Sequence, residues 1–152
     1  MKVVFEQIRE LETALELAPL LDRAAAEQMA EFRDEPLPAR VGERFLGAHF
    51  DAPETLWLRA RTPEGAELGF VLTGPAPDPL VGEVVPMILL LRVEVEWRHR
   101  GIARALVQEA SRRLREAGHA TLAARAGHND DALISMGERW GFVRQWETML
   151  LD

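Results

Sequence analysis

The chain has 152 residues, 47% hydrophobic and 28% charged, enough for a single domain over 1–152 with a proper core. It contains no cysteine, which excludes disulfides, thiolate metal sites and an acyl-cysteine intermediate, and no metal is expected. A net charge of −7 argues against nucleic acid as partner. No signal-peptide core or membrane-length apolar run is present, so a cytoplasmic protein without a membrane partner is expected.

In chain order, Val3 to Ile8 alternates weakly and reads as a first strand. Leu11, Leu15, Ala18, Leu21, Ala25, Met29 and Phe32 recur at steps of three or four, the pattern of an amphipathic helix that Pro19 either starts or kinks. A loop at Glu35 to Pro38 precedes a shorter helix marked by Val41, Phe45 and Ala48. Thr55–Arg61 and Ala66–Thr73 flank Thr62-Pro63-Glu64-Gly65 and predict a hairpin; Gly74 to Pro79 reads as a proline-rich loop. Met87 to Val95, behind Pro86, is an apolar run that reads as a buried central strand. Ala103, Leu106, Val107, Ala110 and Leu114 predict a helix with Gly118 as its stop. A fifth strand follows at Ala120–Ala126, and then a helix capped by Asp130 or Asp131. Its inner face is Leu133, Met136 and Trp140, and Gly141 ends it. Val143 to Leu151 reads as a lone last strand.

The turn between central strand and helix, Arg98-His99-Arg100-Gly101-Ile102-Ala103, has the composition of a phosphate cradle. Unpaired N–H groups and the positive end of the helix dipole meet there. Gly101 lets the main chain come close, Ala103 keeps the first turn narrow, and Arg98, Arg100 and Arg104 supply charge.

These residues resemble the Arg/Gln-x-x-Gly-x-Gly/Ala signature of the GNAT superfamily of N-acetyltransferases. Leu91-x-Val93 and Trp97 precede it in the family's order, and Asn129-Asp130-Asp131-Ala132 with Trp140-Gly141-Phe142 resembles its second signature. The resemblance implies an α/β (α+β) fold: a mixed, mostly antiparallel sheet of six to seven strands with about four helices. It also implies acetyl-CoA as donor and an amine of a small molecule or protein as acceptor. Leu91, Arg92 and Val93 would then follow the pantetheine, Arg98, His99, Arg100, Gly101, Ile102, Ala103 and Arg104 the pyrophosphate, and Asn129 the pantetheine again. In the family the early helix pair shapes the acceptor pocket, which draws in Glu43 and His49. Only ten residues follow Phe142, too few for the family's closing hairpin. Either the final strand stands alone, or a second copy completes the sheet as a homodimer.

The chemistry needs a base, because an amine of pKa about 10.4 is free in roughly one molecule in 2,500 at pH 7. Candidates are His128, whose ordinary pKa suits the task, and Glu83; Glu94 is discounted as a strand-end residue. Many family members protonate the leaving thiolate with a tyrosine. The matching position here is Gly137, and the chain has no tyrosine. Arg92, if turned to the acceptor side, could grip a substrate carboxylate. The rival expectation is a CoA-binding sensor or regulatory subunit that has lost catalysis.

Overall fold

A computed structural model of the chain describes residues 1–30, 37–77, 82–126, 130–144, 149 and 151. Five strands form one sheet in the order β1 (Val4–Gln7), β2 (Leu56–Arg61), β3 (Glu67–Pro77), β4 (Val84–Val93) and β5 (Ala123–Ala124). The first three pairings are antiparallel and the last, Met87 with Ala123 and Ile88 with Ala124, is parallel. Four α-helices accompany it: α1 (Leu11–Met29), α2 (Val41–His49), α3 (Ile102–Glu116) and α4 (Asp131–Arg139). The fold class is the expected one. The sheet has five strands among the described residues, not six to seven, and the expected last strand falls mostly outside them.

Alternation along the strands divides the core between two faces. Trp57, Phe70, Leu72 and Leu90 pack against Ala14, Ala18, Leu21, Ala24 and Ala25 of α1 and Leu46 of α2. Leu56, Leu58, Ala60, Leu68 and Val71 pack on the other face against Ile102, Leu106, Ala110 and Leu114 of α3. These α3 positions are the helical spacing read from the sequence. Asp22 of α1 accepts a hydrogen bond from the Gly42 amide at 2.7 Å and so fixes where α2 begins.

Pro19 does not start its helix, and two further prolines behave differently from expectation. Pro19 lies inside a continuous α1, on its exposed side, where the carbonyl of the exposed Leu15 goes without its usual amide partner. The Gly74–Pro77 stretch belongs to β3 rather than to a loop, and Pro86 lies within β4. Pro75 faces Pro86 across the ladder. Two residues without N–H can face one another only as a non-hydrogen-bonded pair, so neither breaks the sheet.

Helix ends follow the local chemistry. At the end of α3 the His119 amide donates to the Leu114 carbonyl at 2.9 Å and that of Gly118 to Arg115 at 3.0 Å. Gly141 and Phe142 repeat this arrangement on α4, whose first turn is capped by Asp130 accepting from the Leu133 amide at 3.0 Å. Leu133, Met136 and Trp140 are only half-buried, and no residue of α4 is fully buried.

Candidate acetyl-donor site

β4 decides the geometry. Its register against β3 slips between Leu72 and Thr73: Leu72 faces Leu90 while Thr73 faces Ile88, which leaves Leu89 as a bulge. β5 pairs with β4 only at Met87 and Ile88, just before that bulge. Beyond it, Leu89–Val93 runs on with no β5 partner among the described residues. The fifth strand, expected over Ala120–Ala126, is therefore just two residues long.

The direction of the main-chain groups along this arm follows from one hydrogen bond. The Glu94 amide donates to the Leu68 carbonyl at 2.9 Å, towards β3. By antiparallel alternation Arg92 and Leu90 also turn their main chains towards β3, opposite Phe70 and Leu72. Leu91 and Val93 then turn theirs to the open side. The Val93 carbonyl is taken by Arg98, whose Nε donates to it at 3.0 Å. The Leu91 N–H and C=O and the Val93 N–H remain as a short donor and acceptor track.

That track leads through one 3₁₀ turn, Val95–Trp97, into the arginine-rich segment. His99 and Gly101 both have left-handed backbones, with φ of 63° and 80°. Gly101 is the N-cap of α3, makes no side-chain cap, and has nothing within 4 Å of where a Cβ would stand. The first amides of α3, those of Ile102, Ala103 and Arg104, thus face an open cradle at the positive end of the helix dipole. Ile102 is buried as the anchor of the turn, whereas Arg98, His99, Arg100 and Arg104 are exposed around it. The Arg100 guanidinium sits 5.0 Å from the Trp97 ring centroid, a cation–π contact that holds it at the rim. An extended ligand carrying a pyrophosphate fits these residues: hydrogen-bonding track first, anion cradle second.

On the α1 side of the arm, Arg92 is already engaged. Its Nε lies 3.0 Å and its Nη2 3.3 Å from the two Glu27 carboxylate oxygens, and its Nη1 lies 2.7 Å from Glu94. The Glu27 hydrogen bond, with Glu94 behind it, holds the guanidinium above its ordinary pKa. Two carboxylates against one guanidinium leave a net negative charge, so this face favours a cation rather than the carboxylate first considered for Arg92.

Other predicted residues lie apart. Glu83 is exposed just before β4, about 20 Å along the strand from Leu89. Glu43 and His49 are exposed on α2, with the His49 ring 5.2 Å from Phe45. Gly137 is half-buried in α4, and its carbonyl accepts from the Phe142 amide at 3.0 Å. His128 and Asn129 lie outside the described residues. Glu27, which the sequence reading passed over, shows no local signal: it is one more acid on the polar side of a helix.

Strand bulge, open arm and uncapped helix together suit an extended, phosphate-bearing donor lying against the edge of β4. A family model described as the acetyltransferase (GNAT) family matches residues 16–142, and the chain belongs to that family. This is the class of acetyl-CoA-dependent N-acyltransferases, and the track and cradle suit that donor. Solved structures with the same fold include a ribosomal-protein-alanine N-acetyltransferase from Brucella melitensis biovar Abortus 2308, 22% identical, covering 99% of both chains with a TM-score of 0.68. An aminoglycoside antibiotic 6'-N-acetyltransferase from Acinetobacter baumannii is 17% identical over 99% of this chain and 97% of its own, with a TM-score of 0.68. An aminoglycoside N-acetyltransferase in complex with CoA is 18% identical over 99% and 94%, with a TM-score of 0.67. No curated protein matches the chain significantly.

Proposed function

We propose that the protein transfers the acetyl group of acetyl-CoA directly to a primary amine of a small molecule or protein. The observation that carries this reading is the continuity of the Leu89–Val93 arm, which has no β5 partner among the described residues, with the uncapped N-terminus of α3. When bound, acetyl-CoA supplies an activated thioester, and the chain's task is to hold and polarise it. Leu91 and Val93 would hold the pantetheine through their main chains, and Ile102, Ala103 and Arg104 would meet the pyrophosphate with amides while Arg98, Arg100 and Arg104 add charge. The Leu91 N–H would be the donor to the thioester carbonyl; such a donor is worth roughly 10²–10³ in rate. The absence of cysteine excludes an acyl-cysteine intermediate and supports direct transfer, in which the amine nitrogen would bond the carbonyl carbon as the thiolate departs and the base takes the proton.

His128 is the first choice to take the amine proton, with Asn129 as a further pantetheine contact; Glu83, about 20 Å along the strand from Leu89, is too far away to serve. The negative balance of Glu27, Arg92 and Glu94 suits the approach of an ammonium. With no tyrosine, the thiolate leaves unassisted, which a thiol of pKa about 8.5 allows. Amine acceptors are named for the structural neighbours, an alanine of a ribosomal protein in one and aminoglycosides in others. Gly137 in the acid's position favours a second reading, a CoA sensor without turnover. Thiol release measured across an amine panel, beside CoA binding, separates the two: release supports transfer, and tight binding with no release supports the sensor.

A further inference from the structure

The bulge that begins the donor arm is held from outside the sheet, and both holds come from the α1–α2 pair. Gln28, in the last turn of α1, donates from Nε2 to the carbonyl oxygen of Leu89 at 3.2 Å. Leu89's Cδ1 and the rim of the Phe45 ring both close on Gly74 of β3, standing 2.8 Å and 2.6 Å from where a Cβ there would sit. Only a glycine at that position lets a ring from α2 and the bulged leucine share the space. The neighbouring residue Glu27 grips Arg92, three residues further along β4. Consecutive side chains of one helix thus hold the arm at its start and its middle, about 10 Å apart.

We infer that Gln28 is a positioning residue for acetyl transfer: by fixing the Leu89 carbonyl it sets the plane of the Leu89–Leu90 peptide and with it the aim of the Leu91 N–H. The physical link is short. A peptide unit is planar, so orienting the Leu89 C=O orients the Leu90 N–H, which belongs to the ladder with Leu72. The next amide along, that of Leu91, is the first on the arm to face the open side. Leu89 is the one residue of the arm without a partner on β3, so the Gln28 hydrogen bond is a second hold, beside the Leu72–Leu90 pairing, on the peptide that leads into Leu90 and the Leu91 N–H. The role rests on the acetyl-transfer reading, but the hold on Leu89 can be tested without it.

Three variants read it. Gln28→Ala removes the donor, Gln28→Glu sets a carboxylate against the carbonyl, and Gln28→Arg returns an N–H the same number of bonds from the backbone. Amide hydrogen exchange on the free protein should quicken at Leu90 in the Ala and Glu variants and leave the β2–β3 amides unchanged. In turnover, kcat should fall about 10- to 100-fold in those two with acetyl-CoA KM within about threefold, and the Arg variant should recover most of it. Unchanged exchange at Leu90 overturns the hold whether or not any amine is acetylated. Faster exchange with an unaltered kcat, or a loss carried by KM alone, overturns the positioning role. A wild type that binds CoA but acetylates nothing overturns both the transfer reading and the positioning role, and the exchange result then stands for the hold alone.

Discussion

Arg98 donates from Nε to the carbonyl oxygen of Val93 at 3.0 Å, so the first residue of the anion cradle is tied to the last residue of the donor arm. The bond uses the one open-side carbonyl at the end of β4 and sets the distance between track and cradle. Arg98→Ala should weaken CoA binding about fivefold, the worth of one exposed hydrogen bond of about 1 kcal/mol. Titration calorimetry checks this, and an equal affinity would mean that the cradle holds its place unaided.

The cradle itself is best tested at Arg104, the third residue of α3. Substituting Gly101 confounds the experiment, since φ of 80° strains any side chain by about 1–2 kcal/mol before ligand is added. Arg104→Glu places an acid in the first helical turn, which should stabilise the free protein by about 0.3–1 kcal/mol through the dipole. The same charge repels a pyrophosphate. CoA at a hundred times its Kd should stabilise the wild type by about 2.7 kcal/mol and the variant hardly at all. Thermal unfolding with and without CoA reads both halves.

Proton removal from the amine should limit the rate, because a thiolate of pKa about 8.5 departs without an acid, whereas an amine of pKa about 10.4 is scarcely free at pH 7. The rate should climb with pH to the pKa of base or substrate, without a falling limb from a phenol near pH 10. His128→Ala should lower kcat/KM by about 10²–10⁴ with little change in CoA affinity. A loss below about fivefold moves the role to water.

Acid stability should report on the polar side of α3. The Arg112 hydrogen bond, joined by that of Arg113, holds the Glu109 carboxyl down at about 2 against its ordinary 4.5. A depressed folded pKa means that the pairing stabilises above pH 4.5 and is lost as pH falls towards 2. The melting temperature of Glu109→Gln should therefore lie below wild type at neutral pH, and the gap should close over that range. A gap of the same size at pH 3 and pH 7 would assign it to packing instead.

Local chemistry alone settles much of this protein. The spacing from Ala103 to Leu114 determines α3 and its buried face, Gly118 and Gly141 determine where helices stop, and Arg98 to Arg104 mark the cradle. Each depends on neighbours within a few residues, whose periodicity and turn chemistry are written in order along the chain. Pro19, Pro75 and Pro86 mislead at that level, because the fate of a missing N–H depends on what stands opposite it. Pro75 opposite Pro86 is a fact of register, which no window of sequence contains. The same holds for the bulge at Leu89, the parting of β4 from β5 after Ile88, and the contacts of Glu27 and Gln28 with an arm more than sixty residues away. Only tertiary structure decides these, since strand register and helix docking are set by how two separate faces pack on one sheet.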